Sequence, residues 1–338
     1  MAAFLECHGV VDRSHLIIAA TALAATLGVG AGVAAQQQPG AALANAQVPS
    51  GATFISGVDL VRVSAVVRDR KGRFVEDLAQ RDFTILDNGD ERAIADFRHD
   101  LAGVSVALLF DVSGSMEARL ANAREAGTFV LASLDTGKDE AAVYTFDTQL
   151  DEVEPFTVGL RALPGKLSSL TPFGATSLHD AIAATAERAG HRDGRRRAVV
   201  VFTDGNDNWS HLTPSDVSGI ASAIDVPVYI VGIVPAIDNP SADISTVSVE
   251  RSALAGPLTD LADWTGGHAF IVSTPLQRSA AARQIIDELR HQYLIAFESS
   301  GRPGWHPLVV RARDKNRADL VVRVRSGYFA GQSRPVSE

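Results

Sequence analysis

The segment VSVALLFDVSGS, at residues 104–115, carries the strongest indication of the fold. Its first seven residues are almost entirely apolar, which is typical of a strand that is buried on both faces of a parallel sheet. The run ends in Asp111, Ser113 and Ser115, which place oxygen-bearing side chains at alternating positions. In open parallel sheets, ligands bind at the carboxyl ends of the strands. The segment therefore predicts a central strand followed by a candidate ligand-binding loop.

Strand and helix patterns alternate after this segment. A second apolar run, AVVVF at residues 198–202, indicates another buried strand. Helical patterns at residues 120–134, 177–188 and 277–290 lie between the predicted strands. Such alternation predicts an α/β fold over about residues 101–290, with a doubly wound, mostly parallel sheet that is flanked by helices.

Patterns typical of β-strands flank this α/β domain on both sides. After it, LVVRAR at residues 308–313 and LVVRVR at residues 320–325 resemble the two strands of a hairpin. We expect residues 53–100 and 291–330 to join into one small β-sandwich-like accessory module, into which the α/β domain is inserted. The alternative is that the flanks form two unconnected extensions of the main sheet.

The first 35 residues have the pattern of an export signal. Arg13 precedes an uncharged apolar run at residues 16–35, which ends in small residues that suit signal-peptidase cleavage. The alternative is an uncleaved membrane anchor, because the run approaches the ~20 residues that span a bilayer; we favour cleavage. Residues 36–52 are rich in Gln, Ala, Pro and Gly and are predicted to be a linker. We therefore expect the protein in the periplasm, the cell envelope or the extracellular space.

Composition excludes several classes of function. The chain has 31 Lys and Arg against 40 Asp and Glu, a formal charge of −9, which argues against nucleic acid or an anionic membrane surface as the main partner. The single cysteine, Cys7, lies in the predicted signal. A mature chain without a thiol has no disulfides, thiolate zinc sites or cysteine nucleophile.

Two further loops complete a set of oxygen-bearing side chains. Thr176 precedes a predicted helix, and Asp204 follows the second buried strand. Hydroxyl and carboxylate oxygens suit Mg²⁺, Mn²⁺ or Ca²⁺ rather than a soft metal, and we favour Mg²⁺. Only two of the five groups are charged, so a bound dication would remain electrophilic. Octahedral Mg²⁺ would also keep a coordination position for water or for a carboxylate of a partner. The predicted metal-ligating residues are Asp111, Ser113, Ser115, Thr176 and Asp204.

The runs DVSGS, GAT and TDG, in this order and strand context, resemble the metal-ion-dependent adhesion site of the von Willebrand factor A family. The resemblance covers about residues 101–275 and implies that the hydroxyls ligate directly and the carboxylates either directly or through water. The family often has Gly-Gly-Thr where this chain has Gly-Ala-Thr, which leaves Thr176 in place. The runs DLAQRDFTILDNG and RSGYFA also resemble a bacterial, secreted group of von Willebrand factor A-related proteins.

The resemblance implies an exported, metal-dependent protein-binding module that captures an acidic group on its partner. A different class of function is a structural cell-envelope protein, in which the metal only stabilises the loops. We do not expect an enzyme: Ser113 lacks the preceding Gly of a nucleophile elbow, and no His is placed by sequence as its base. An Asp111 phosphatase would require a second carboxylate two residues on, where Ser113 stands.

Several neighbouring residues have two open interpretations. Trp209 and His211 could form the rim of a contact surface, or Trp209 could pack on a helix. The spacing of His179 and Asp180 suits hydrogen bonds behind the metal ligands, and a place on the helix surface is the alternative. The basic run at residues 195–197 is predicted to be a solvated loop.

Overall fold

The computed structural model describes residues 60–99, 103–192, 194–223, 225–235, 255–314 and 320–330. They all belong to one compact unit, Ser56–Glu338. The predicted signal and linker lie outside the described residues. Within the described ranges, no helix combines the length and apolar composition required to cross a membrane.

The described chain forms strands and helices in an order that agrees with the sequence pattern. The strands are β1 (Leu60–Arg68), β2 (Phe83–Asp87), β3 (Asp90–Arg92), β4 (Ile94–Arg98), β5 (Val104–Asp111), β6 (Glu140–Phe146), β7 (Leu150–Val158), β8 (Arg196–Thr203), β9 (Val228–Ile233), β10 (Ala269–Val272), β11 (Gln292–Glu298), β12 (Gly304–Ala312), β13 (Val321–Arg323) and β14 (Gly327–Ala330). The helices are α1 (Leu120–Ser133), α2 (Gly165–Ser169), α3 (Leu178–Gly190), α4 (Pro214–Ala223), α5 (Ala255–Thr265) and α6 (Pro275–Arg290).

A six-stranded sheet forms the centre of the α/β part. Its strand order is β10-β9-β8-β5-β6-β7, and every neighbouring pair is parallel except β6 and β7. All eight residues of β5 are buried, because helices cover the sheet on both faces. Helices α1 and α6 pack on one face, and α3, α4 and α5 pack on the other. The predicted doubly wound, mostly parallel fold is therefore confirmed.

The two flanks combine into two four-stranded sheets. One has the order β13-β1-β11-β4 and the other β14-β12-β2-β3, so each contains strands from both ends of the described chain. Val63, Ile85, Tyr293 and Val310 contribute to one shared apolar core between them. The predicted β-sandwich-like module is confirmed, and the alternative of separate extensions of the main sheet is wrong.

The predicted hairpin of residues 308–313 and 320–325 is wrong. Strand β12 pairs with β2 and β14, whereas β13 pairs with β1 in the other sheet. Both segments have one apolar face, and each turns this face to the shared core from its own sheet. The sequence also gave no clear signal for β7, an edge strand with charged residues and Pro155, which an edge tolerates.

The basic run at residues 195–197 is not the solvated loop that its charge predicts. Arg196 begins β8, and the guanidinium groups of Arg195, Arg196 and Arg197 donate to backbone carbonyl groups. Arg195 Nε also donates to Ser105 Oγ at 2.8 Å. The run therefore satisfies polar groups at the end of the sheet opposite to Asp111.

Candidate functional site

The five predicted residues lie at the carboxyl edge of the six-stranded sheet. The chain leaves β5 toward β6 on one side, and β8 lies on the other side, so the strand order reverses between β5 and β8. Asp111 ends β5, and Asp204 directly follows β8. This reversal is the position where open α/β sheets bind ligands.

The first loop holds Asp111 in a dense set of hydrogen bonds. Its Oδ1 accepts from the backbone N–H of Ser113 at 3.0 Å and from Ser113 Oγ at 2.6 Å. Its Oδ2 accepts from Thr203 Oγ1 at 2.7 Å. Ser113 Oγ also lies 3.2 Å from Ser115 Oγ. The structure thus brings three of the predicted groups into direct side-chain contact.

The second loop attaches Thr176 to both of the other loops through the backbone. The N–H of Gly114 donates to the carbonyl of Gly174 at 3.1 Å. The N–H of Thr176 donates to Asn208 Oδ1 at 2.8 Å, and its carbonyl accepts from the N–H of Asn208 at 3.1 Å. Thr176 itself is buried. These bonds fix its backbone, so its hydroxyl is not needed to hold the loop.

The third loop places Asp204 beside an arginine that the sequence analysis missed. Arg119 Nη1 donates to Asp204 Oδ2 at 3.0 Å and to the carbonyl of Ser115 at 2.7 Å. Asp204 Oδ1 accepts two longer bonds from Asn206, at 3.3 and 3.2 Å. Arg119 therefore links the first loop to the third.

Asp111 has a pKa well above the ordinary value of an aspartate. Burial raises its pKa to about 6, and the nearby charge of Asp204 adds to this effect. The hydrogen bonds from Ser113 and Thr203 act in the opposite direction but do not cancel it. A carboxylate with a raised pKa is one that its surroundings do not fully stabilise in the charged form, and such groups concentrate at functional sites.

The donor set fits the hard divalent cation that the family resemblance implies. It consists of two carboxylates and three hydroxyls, all oxygen donors. Two adjacent ligands of an octahedral Mg²⁺ at about 2.1 Å are about 3 Å apart, which the 3.2 Å between Ser113 Oγ and Ser115 Oγ matches. Across the described ranges no group of three or more His, Cys, Asp or Glu could hold a metal, so a site here depends on the hydroxyls.

His179 and Asp180 support the third loop rather than the set of oxygen donors. His179 Nδ1 lies 2.8 Å from Asp207 Oδ2. Asp180 accepts from the backbone N–H groups of His211 and Leu212, at 3.0 and 2.9 Å. These contacts attach helix α3 to the loop that follows Asp204.

Sequence reasoning missed Thr203 and Arg119. Thr203 directly precedes Asp204 and contacts Asp111 because β5 and β8 are neighbours in the sheet. Arg119 lies four residues after Ser115, in the turn before α1 and outside any α-helix, so its spacing was not a usable signal. Its contact with Asp204, 85 residues away, was not visible in the sequence.

Two large aromatic side chains stand in solvent beside the site. Phe173 is 81% exposed and Trp209 is 59% exposed. The N–H of Phe173 donates to the carbonyl of Val112 at 2.9 Å, and the N–H of Trp209 donates to the carbonyl of Thr176 at 3.0 Å. Both are therefore tied by their backbone to the loops of the candidate ligands.

Comparison with known proteins adds a family match. A family model described as a von Willebrand factor type A domain matches residues 106–206, which include all five predicted ligands. No curated protein matches the chain significantly.

Three solved structures illustrate the likeness to known folds. BatB from Bacteroides thetaiotaomicron is 21% identical, with 55% of this chain and 98% of that one covered and a TM-score of 0.45. A von Willebrand factor type A protein from Catenulispora acidiphila is 15% identical, with 73% of each chain covered and a TM-score of 0.43. The PilB minor pilin from Streptococcus sanguinis is 14% identical, with 57% of this chain and 63% of that one covered and a TM-score of 0.42.

The family match falls on the part of the chain that forms the centre of the doubly wound sheet. It begins within β5 and ends just after β8, the two strands between which the strand order reverses. The protein therefore contains a von Willebrand factor type A domain.

Proposed function

We propose that this protein is an exported, metal-dependent protein-binding module. A divalent cation, with Mg²⁺ favoured, would be held at the rim of the sheet and would capture an acidic group of a partner protein. The residues proposed to hold it are Asp111, Ser113, Ser115, Thr176 and Asp204. The observation that carries the proposal is that the three loops that contain these residues are joined to one another by hydrogen bonds and by the ion pair of Arg119 with Asp204.

The charge balance of the site supports a role in binding. A dication beside two carboxylates retains electrophilic character, and Mg²⁺ readily keeps coordination positions for water or an incoming carboxylate. Burial of Asp111 favours a nearby positive charge, because a cation stabilises the deprotonated form that burial disfavours. Acidic side chains are therefore the partner groups that this chemistry selects.

The exposed aromatic residues support a protein as the partner. Aromatic side chains are enriched at the centres of protein interfaces, where they bury large areas with few rotatable bonds. Phe173 and Trp209 would contact apolar groups beside the acidic residue of the partner. Ser113, the residue that a hydrolase would need as nucleophile, bonds to Asp111 and Ser115 rather than to an imidazole, which supports binding rather than catalysis.

The first test is calorimetric titration of Mg²⁺ into the wild-type chain and a Thr176→Val variant. We expect saturable binding to the wild type and at least about tenfold weaker binding to the variant, because valine keeps the shape but removes a ligand. Thr185→Val is the matched control, since the Thr185 hydroxyl is buried without a hydrogen-bond partner in the described part of the chain. If Thr176→Val binds Mg²⁺ with the affinity of the wild type, or if the wild type does not bind Mg²⁺, the alternative function of a structural cell-envelope protein would be favoured.

The second test concerns the aromatic rim. The double variant Phe173→Ser, Trp209→Ser is expected to bind Mg²⁺ with unchanged affinity and to lose Mg²⁺-dependent partner capture from an envelope extract. Leu276→Ser removes an apolar side chain of comparable exposure, 48%, from the start of α6 and serves as the control. Capture by the double variant at the wild-type level would show that the rim is not part of the interface.

A further inference from the structure

Arg119 places a positive charge next to the predicted metal ligands. It immediately precedes helix α1, and its guanidinium group reaches across to the loop after β8. The same nitrogen, Nη1, donates to Asp204 Oδ2 at 3.0 Å and to the carbonyl of Ser115 at 2.7 Å. One side chain therefore contacts two of the five residues that are proposed to hold the cation.

The pairing makes Arg119 the positively charged partner of Asp204. Asp204 is only 4% exposed, so water does little to stabilise its charge. Among the described residues, its other oxygen accepts from the neutral groups of Asn206, at 3.3 and 3.2 Å. Since a nearly buried carboxylate requires a compensating charge, the guanidinium group supplies what a bound metal would otherwise supply.

The contact between Arg119 and Asp204 can also be broken readily. The Arg119 side chain is 30% exposed and has a long, flexible stem, so its charged end can move into solvent. Its Nε is buried without a hydrogen-bond partner in the described residues, so the pairing leaves one donor unsatisfied. A dication beside Asp204 would add direct repulsion between two positive charges.

We propose that Arg119 is a built-in competitor of the metal. It neutralises Asp204 when no cation is bound and gives up this contact when a cation binds. The consequence is a lower metal affinity than the five oxygen ligands alone would give, so that the site fills only above a threshold concentration of the ion. This inference rests on the proposed function of the same site.

The experiment compares Mg²⁺ titrations of the full chain carrying wild-type Arg119, Arg119→Gln or Arg119→Lys. Removal of the competing charge in Arg119→Gln should tighten Mg²⁺ binding at least about tenfold, which corresponds to about 1.4 kcal/mol. Arg119→Lys retains the charge and should stay near the wild type. Arg161→Gln removes the charge of an exposed arginine that contacts Thr136, and it should change nothing.

Thermal unfolding in EDTA provides a second readout that does not depend on the metal. The melting temperature of Arg119→Gln should be lower than that of the wild type, because Asp204 loses its counter-charge. Addition of Mg²⁺ should raise the melting temperature of Arg119→Gln more than that of the wild type. Binding to the wild type with equal or weaker binding to Arg119→Gln would overturn this inference alone. If neither the wild type nor Arg119→Gln binds Mg²⁺, both this inference and the proposed function are overturned.

Discussion

Replacing Glu288 with glutamine is expected to lower the free energy of unfolding by about 2–4 kcal/mol, somewhat less than the about 3–5 kcal/mol that removal of one partner of a fully buried ion pair costs. Glu288 lies in α6, and its side chain is 1% exposed. It accepts from Arg68 of β1 at 3.0 Å and from Arg323 of β13. The substitution would leave two arginines without their counter-charge where the α/β part meets the sandwich, although both are about a quarter exposed, which reduces the loss.

The contribution of Glu288 should depend on pH. Burial by itself would raise its pKa, but the charges of Arg323 and Arg68 outweigh burial and hold the pKa below the ordinary value of 4.5. A carboxyl whose pKa is lowered on folding stabilises the protein above its unfolded pKa, and this stabilisation is lost as the pH falls through the folded value. The difference between wild type and variant should therefore be largest near neutral pH and shrink below about pH 4.5.

Urea unfolding of both proteins between pH 3 and pH 7 measures this difference. Glu298→Gln is the control, because Glu298 is an exposed carboxylate at the end of β11. A Glu288→Gln protein as stable as the wild type at neutral pH would mean that the three charges contribute nothing net.

The variant Asp111→Asn is expected to have the opposite effect in the absence of metal. We expect unfolding in EDTA at pH 8 to require about 1–3 kcal/mol more than in the wild type. The pKa of Asp111 is raised from 3.8 to about 6, and each pKa unit corresponds to about 1.4 kcal/mol. The gain is smaller than the full shift implies, because the amide nitrogen would face the hydroxyl of Thr203, which now donates to Asp111.

The sign for Asp111 follows from its raised pKa. Between pH 3.8 and about 6, the folded protein holds a proton that the unfolded chain releases. The free energy of unfolding of the metal-free wild type should therefore fall as the pH rises through this window and stay low above it. In the asparagine variant this fall should be absent.

Addition of Mg²⁺ should reverse the order of stability. The wild type gains stability with ion concentration because only the folded state has the site, whereas Asp111→Asn should not respond. Asp151→Asn, at an exposed carboxylate of β7, is the control. If Asp111→Asn is less stable than the wild type in EDTA, or responds to Mg²⁺ as the wild type does, Asp111 is not a metal ligand whose charge is poorly stabilised without a cation.

Glu288 and Asp111 are both buried, but their pKa values are shifted in opposite directions. Glu288 is buried and satisfied by two arginines, and its pKa is lowered. Asp111 is buried among neutral donors and next to Asp204, and its pKa is raised. A carboxylate whose charged form is stabilised by folding contributes to the stability of the protein. A carboxylate whose charged form is destabilised by folding can instead be stabilised by a bound cation.

The α/β core could be predicted from the sequence alone, because buried parallel strands require long apolar runs such as residues 104–110 and 198–202. The five candidate ligands could also be predicted from the order of the runs DVSGS, GAT and TDG along the chain. Spacing within one loop is local, so the alternation of Asp111, Ser113 and Ser115 was readable without a structure.

The groups that meet across the loops could be identified only from the folded structure. The contacts of Thr203 with Asp111 and of Arg119 with Asp204 join residues 92 and 85 positions apart, and no local pattern encodes them. The same holds for the division of residues 308–313 and 320–325 between two sheets, since both have the same alternating pattern. Period and composition set which face of an element is apolar, but the partner of that face is chosen by the packing of the whole chain.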